Sequence, residues 1–426
     1  MSRTSGVILA FFALAFCSLS TRLVEARDTV SHLTVYDAGI GEFLEERTVE
    51  LQSGINTIEW RSLMPKAYLT TIRVTAENAD VIRQYITYDG VEIRNEKSPV
   101  LHIVIQNKGA SGARRVQIDY LAPDLDWRND YSLVLDATSA GAPPTSATLD
   151  SWVTIDNKTG TDVAAGTIDL VAGEIALLLS GDGSYPRRER EVAQNISSGF
   201  SSAAPGESMA EVSGLSAFSR FRLGNNITMN ANSPVNRFPL FQKARIDVVQ
   251  RNIFENEHNT QTLARGGFIL LPRGLEVRLV AKNTTGVAMP AGQATIYARS
   301  DNLTQVVGQD RIALIPINGE FGLTQGKSST LFGTRRILER RQVEYKTPQD
   351  RTREKLMTRV EVVLTNRGAL SVEAYVRDAV EPYGENQWTV VESSATSEKL
   401  GANSIQFKVQ VPAGGKTVVT YTLETK

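Results

Sequence analysis

Trp152-Val153-Thr154-Ile155-Asp156-Asn157-Lys158-Thr159-Gly160, continued by Thr167-Ile168-Asp169-Leu170, decides the fold of this chain. Apolar and polar residues alternate on both sides of a short stretch containing Asn and Gly. A period of two marks a half-buried strand, and β-branched side chains suit a pleated surface. Asn and Gly tolerate left-handed backbone, and Asn hydrogen-bonds its own chain, so the middle reverses direction. The unit recurs. Ile105-Gln106-Asn107-Lys108-Gly109 precedes Val116-Gln117-Ile118, and Ala281-Lys282-Asn283-Thr284-Thr285-Gly286 precedes Ala294-Thr295-Ile296-Tyr297. Leu364-Thr365-Asn366-Arg367-Gly368 precedes Val372-Glu373-Ala374-Tyr375. Four copies along one chain predict repeated β-sandwich building blocks.

The same alternation runs through Val100–Ile105, Arg115–Tyr120, Arg245–Val249, Glu276–Val280 and Val360–Leu364. Only Pro186–Ala193, rich in Arg and Glu, reads as a short exposed helix. The expected class is all-β: tandem antiparallel β-sandwich-like domains with a long β-ribbon or hairpin, and few or no helices apart from a signal peptide. An N-terminal β domain is expected at 27–110 and β-sandwich segments at 111–196 and 217–330. A flexible Ser/Gly linker or loop at 197–216 parts the two segments, and a C-terminal β domain covers 331–426.

Arg3, the apolar run Val7–Leu19 and Val24-Glu25-Ala26 form a basic start, a short apolar middle and a small-residue cut site. That is the pattern of a secretory signal peptide, residues 1–26, cut after Ala26. Lipid attachment at Cys17 is the competing reading, opposed by the bulk of Phe16. Cys17 is the single cysteine, so cleavage leaves a cysteine-free chain without disulfides or thiol ligands. Its net charge moves from −1 to −2, which gives no electrostatic reason to expect nucleic acid. No later segment has membrane-spanning length without charges. The expected address is periplasmic or extracellular.

The chemistry is sparse. The three histidines, His32, His102 and His258, lack paired metal-ligand spacing, and no G-x-S-x-G elbow is present. Glu255, Glu257 and His258 could meet a metal but read as a solvated turn. Asp124, Asp126 and Asp130 resemble a calcium loop whose third ligand slot holds Arg128. They read as turn caps, as does Gly181-Asp182-Gly183-Ser184. No cofactor and no metal are expected. Trp127, Tyr131 and Trp152 are candidate core or binding aromatics. The strongest charge feature runs from Arg335 to Arg359, and its candidate polyanion-binding stripe is Arg335, Arg336, Arg340 and Arg341. Its bland reading is a solvated ribbon face whose charges guard against edge pairing. Asn157, Asn195, Asn226, Asn283 and Asn302 each begin an N-x-S/T triplet.

Asp119-Tyr120-Leu121-Ala122-Pro123-Asp124-Leu125-Asp126-Trp127-Arg128-Asn129-Asp130-Tyr131 resembles a signature of secreted bacterial proteins related to mucoidy inhibitor A. The C-terminal region those proteins share is a domain of unknown function. Leu33–Tyr36 with Leu51–Asn56, Ile155–Gly160 with Leu170–Gly173, and Trp388–Ser394 through Val411–Gly415 are similar to further blocks of that family. The resemblance implies an exported β protein and brings no catalytic residues. The coiled-coil insertion of the longer members is missing here, so functions particular to them are not implied.

The resulting expectation is an exported, non-enzymatic β protein that binds or scaffolds in the cell envelope. Its partner is an envelope protein or polysaccharide, docked for example at an uncovered strand edge. Two alternatives stand beside it. One is a carboxylate-dependent hydrolase of envelope polysaccharide, using Asp124 with Asp126 or Glu255 with Glu257. The other is a subunit of a surface assembly.

Overall fold

Alternation in sequence becomes alternation in burial. Leu125, Trp127, Asn129, Tyr131, Leu133 and Leu135 on one strand are all buried, while the residues between them are half-buried or exposed. The computed structural model describes residues 30–425 except 94–95, 137, 139–141, 173–218, 232, 234, 256–271, 301–302, 347, 350 and 381–387. The expected signal peptide, Cys17, the 197–216 linker, the Pro186–Ala193 helix, Gly181–Ser184, Asn195, Glu257, His258 and Asn302 lie outside the described residues. Within them every regular element is a strand except one 3-10 turn, Leu69–Thr71, so the protein is all-β.

The chain builds four adjoining units. In the first, β1 (Val30–Tyr36), β2 (Ile40–Leu51), β3 (Gly54–Trp60), β4 (Arg73–Ala76), β5 (Asp80–Ile93), β6 (Glu96–Asn107) and β7 (Gly112–Pro123) make a sandwich. Strands β1-β2-β7-β4 form one wall and β3-β6-β5 the other. The next four strands are β8 (Leu125–Leu135), β9 (Ser146–Asn157), β10 (Val163–Ala172) and β11 (Ser219–Met229). β10 pairs in parallel with β1, which extends the first wall to β11-β10-β1-β2-β7-β4. One continuous core fills both units, from Trp60, Ile103 and Phe43 to Trp127, Ile155 and Ile168.

The third unit adds β12 (Asn236–Glu255), β13 (Arg273–Lys282), β14 (Gly292–Ser300), β15 (Leu303–Ile312) and β16 (Glu320–Lys346). Here β15-β14-β8-β9-β12-β13-β16 wraps a core that includes Leu133, Leu149, Ile246, Leu279, Ile296 and Leu323. The two end strands meet where the Thr324 N–H donates to Asp310 Oδ2 at 2.6 Å. The approach is so close that a Cβ on Gly308 would sit 2.5 Å from the Gln325 carbonyl oxygen.

β17 (Thr352–Asn366), β18 (Val372–Ala379), β19 (Trp388–Ser393), β20 (Ser397–Lys399), β21 (Ser404–Val411) and β22 (Lys416–Thr425) complete the fourth unit. Strands β16-β17-β22-β19 pair in that order, and β12-β18-β21-β20 in theirs. Phe254, Val362, Val376, Trp388, Phe407 and Tyr421 fill the core. Long strands join the units. β12 pairs with β9 at its start and with β18 at its end, and one face of β8 covers two cores in turn. Where those cores meet, buried Ser151 donates its hydroxyl to buried Asn129 Oδ1 at 2.9 Å.

The four Asn–Gly units become four copies of one corner. In each, the flanking strands pair with other strands and not with each other: β6 with β3 and β5, but β7 with β2 and β4; β9 with β8 and β12, but β10 with β1 and β11. The corner is therefore an arch between parts of the wall and not a hairpin. Asn107, Asn157, Asn283 and Asn366 are all at most 2 % exposed. Each Oδ1 accepts the N–H two residues on, at 3.1, 3.1, 3.1 and 2.8 Å. Each Nδ2 donates forward to the carbonyl that closes the arch, that of Ala110, Thr161, Val287 or Leu370. It also donates to a third segment, at Gln52, Met229, Pro316 or Val411.

Two corners match in further detail: the Thr159 and Thr285 hydroxyls each donate to the Asn at 2.7 Å, and Gly160 and Gly286 sit at φ 87° and 83°. The carboxamides of Asn157 and Asn283 are thus sealed inside, which bars a glycan from two of the five triplets.

Asn157→Ala strands buried partners on three pieces of chain, so it is expected to cost about 2–4 kcal/mol. Asn157→Asp loses both donors and aims a charge at carbonyl oxygens, and is expected to be at least as damaging. The check is the denaturant midpoint, which falls while the slope stays constant.

Candidate functional site

Strand alternation sets which side chains meet solvent, and a β-bulge decides it for the arginine-rich stretch. β16 and β17 pair from Leu331↔Asn366 to Lys346↔Thr352, with a register shift between Ile337 and Glu339. The inserted residue, Leu338, reverses inside and outside along β16. Before the bulge, Leu331, Gly333 and Arg335 point into the core, and Arg336 points out. Beyond it, Glu339, Arg341, Val343 and Tyr345 oppose Arg359, Met357, Lys355 and Arg353 on one face. That face continues the outer side of the wall, because Glu361 and Val363 follow on it while Val360, Val362 and Leu364 are buried. Arg340, Gln342, Glu344 and Lys346 oppose Thr358, Leu356, Glu354 and Thr352 on the other.

The four arginines expected as a stripe are therefore dispersed. Arg335 is only 8 % exposed, and its Nε donates to Asp378 Oδ2 at 2.7 Å. The Tyr421 hydroxyl donates to the same carboxylate. Burial, with the Asp378 charge beside it, pushes the Tyr421 phenol far above its ordinary value, so it remains a donor. Arg336 pairs with Glu361 at 2.5 Å and Arg341 with Glu339 at 3.1 Å on the outer face. Arg340 lies on the opposite face. Sequence reasoning missed that Arg353, Lys355 and Arg359 belong with Arg341. Their spacing of two and four was visible, but the register that joins them to Arg341 was not.

The aromatic candidates also separate. Trp127 is buried, donates its indole N–H to the Val171 carbonyl at 3.3 Å and tilts against Phe221. Tyr131 is buried and donates to the Pro290 carbonyl at 2.6 Å. Burial pushes its phenol well up. Trp152 stands on the opposite side of the same hairpin, level with Asp130, half-buried beneath the Arg237 guanidinium at 5.5 Å. The acidic candidates take separate partners. Asp124 pairs with Lys66 at 3.0 Å, Asp126 accepts the Trp127 N–H at 2.9 Å, and Asp130 lies 3.9 Å from Arg237. Glu255 is exposed at the end of β12.

Both described histidines sit on polar sheet faces. His102 stacks on Tyr85 with centroids 4.5 Å apart, reaches Thr87 at 2.7 Å and lies 3.8 Å from Glu59. His32 lies 3.5 Å from Asp169, a fully buried carboxylate that also takes the Arg222 fork at 2.8 and 3.0 Å, with Arg220 at 3.6 Å. Burial alone would raise the Asp169 pKa. The Arg222 hydrogen bond and charge, helped by His32 and Arg220, outweigh it and hold the group below the usual aspartate range. Glu45 forms a second buried hub, accepting from Trp60 at 2.7 Å, Tyr120 at 2.9 Å and Ser62.

Recesses open on the surface of the described residues. One of about 310 Å³ is lined by Tyr36, Glu42, Arg73 and Asp119 among others. Its carboxylates are already engaged: Tyr36 donates to Glu42 at 2.7 Å, and Arg73 pairs with Asp119 at 2.8 Å. Another, about 440 Å³, lies where the short β20 leaves β21 uncovered beyond Phe407 and includes Glu398, Lys408 and Gln410. No protein-family model matches the chain, and no curated protein matches it.

Arg335→Met leaves Asp378 buried without its cation and is expected to cost about 3–5 kcal/mol. Arg335→Met with Asp378→Leu is expected to recover much of that loss in a double-mutant cycle of unfolding free energies. For Asp169 the folded pKa is depressed, so its stabilisation is present above the unfolded value of about 3.9 and is lost as pH falls through the folded one. The melting-temperature advantage over Asp169→Asn is expected to hold at neutral pH and to shrink progressively below about pH 4.

Proposed function

We propose that the protein is exported to the cell envelope and acts there without catalysis, as a binding or scaffolding element. The observation that carries this reading is the β16–β17 ribbon. Long strands tie four packed units into one array, and the ribbon runs out of the last of them. β22 stops alongside Leu356, and no described strand lies on the other side of β16 beyond Gly333. Its tip from Arg340 to Lys346 and Arg351 to Glu354 is mostly exposed on both faces. Such a ribbon adds little to a core, and it offers side chains on two faces and backbone at an edge, which are the means by which sheets take partners. The export half of the reading is supported by the basic, apolar and small-residue order of residues 1–26. The resemblance to secreted proteins related to mucoidy inhibitor A agrees with it.

The test compares the wild-type protein with a variant in which Asn-Gly replaces residues 342–356, joining Arg341 to Met357 by a two-residue hairpin loop. Both are expected to melt alike, because the removed residues lie beyond the last core. The wild type is expected to retain an envelope component in a pull-down, and the shortened form to lose it. Equal retention by both, or by neither, would overturn the reading. So would release of soluble fragments from envelope polysaccharide by the purified protein.

A further inference from the structure

We infer that the outer face of the β16–β17 ribbon is a binding track for a linear acidic polysaccharide, held through its carboxylates by Arg353 and Arg359 with Arg341 and Lys355 between them. This deepens the proposed binding role and rests on it.

Charge is segregated along this chain. Residues 336–359 contain eight Arg and Lys against four Asp and Glu, a net charge of +4, in a protein whose total is −1. The register then divides that charge unequally between two faces. The inner-side face of the ribbon carries Arg340 and Lys346 against Glu344 and Glu354, which cancel. The outer face carries Arg336, Arg341, Arg353, Lys355 and Arg359 against Glu339, Glu361 and, on the neighbouring β22, Glu424.

These three acids are engaged, Glu361 by Arg336 at 2.5 Å. Glu339 stands opposite Arg359 in the ladder, yet its carboxylate turns along its own strand to Arg341 at 3.1 Å. Glu424 holds Lys355 at 2.8 Å. Arg353 and Arg359 remain exposed, with no acidic partner among the described residues. The excess on this face is thus two guanidinium groups. Each presents a planar fork that matches a carboxylate in two hydrogen bonds.

Placement selects the ligand. Arg353 and Arg359 lie six residues apart on one strand, about 20 Å. Arg341 and Lys355 fall between them on adjacent positions of the ladder. Cations set out in a line suit a polymer that carries charge at intervals, whereas a single small anion needs them to converge. An acidic peptide would be read at a strand edge by backbone hydrogen bonds. Here the four cations stand on one face and not along an edge, so a ligand that meets all four lies across the face. Val343, Tyr345 and Met357 share that face and supply the apolar surface on which sugar rings rest.

The experiment measures binding of polygalacturonate to the full-length chain at low and high salt. Arg353→Glu with Arg359→Glu is the test variant, and Arg340→Glu with Lys346→Glu, on the opposite face, is the matched control. Wild type is expected to bind, with affinity falling as salt rises. The outer-face pair is expected to lose at least about tenfold, and the opposite-face pair less than about threefold. Matching thermal melts show that neither variant acts through unfolding. Equal losses from the two pairs would mean a diffuse field and overturn the track. So would no binding by wild type, or binding to anionic phospholipid vesicles but not to the polysaccharide. The pull-down above reads an envelope component lost with the whole ribbon tip, and this experiment reads a purified glycan with two side chains changed. Failure here with success there would leave the ribbon as a docking element with another ligand.

Discussion

A buried asparagine at each sheet-to-sheet arch is the constraint on which this architecture depends. When a strand leaves its wall to cross a core, its last backbone groups leave the ladder in a place water does not reach. A carboxamide solves the problem locally because it carries two donors and an acceptor on a short stem. Asn157 accepts from Thr159, donates forward to Thr161 and donates sideways to Met229, which binds two ends of the arch to the tail of β11. Asn366 does the same work between Gly368, Leu370 and Val411. An aspartate of equal size lacks the donors, and an alanine leaves buried groups unpaired.

Buried charge has a second role, in holding walls at one offset. Glu45 on β2 collects Trp60 and Ser62 from the opposite side of the core and Tyr120 from β7. Arg335, Asp378 and Tyr421 join β16, β18 and β22 in the last unit. Taking such groups out of water is costly and is offset only when every partner is in place. Apolar packing tolerates sliding by a fraction of a residue, whereas these clusters do not. Each cluster ties strands of facing sheets together at one offset.

A single inserted residue has an equally wide reach. Were Leu338 to take a regular place in the ladder, strict alternation would place Arg341 on the side of Arg335 and Arg340 on the side of Arg336. The bulge reverses that, gathers Arg341 with Arg353, Lys355 and Arg359, and leaves Arg340 behind the ribbon. A basic outer face and a neutral inner-side face then arise from one stretch of sequence in which the two charges are interleaved.

The sequence by itself determined the all-β class and the four corners. Both rest on local physics: side chains alternate with a period of two, and Asn with Gly permits the turn. It also marked residues 335–359 as the densest run of charge. Tertiary structure alone decided that the corners are arches and not hairpins, because pairing joins residues far apart in the chain, as β10 joins β1. It decided that Trp127 and Tyr131 face cores while Trp152 faces Arg237, since the sequence gives parity but not which side is inside. And it decided which arginines stand together, because a bulge is set by the partner strand, and no residue of β16 announces it.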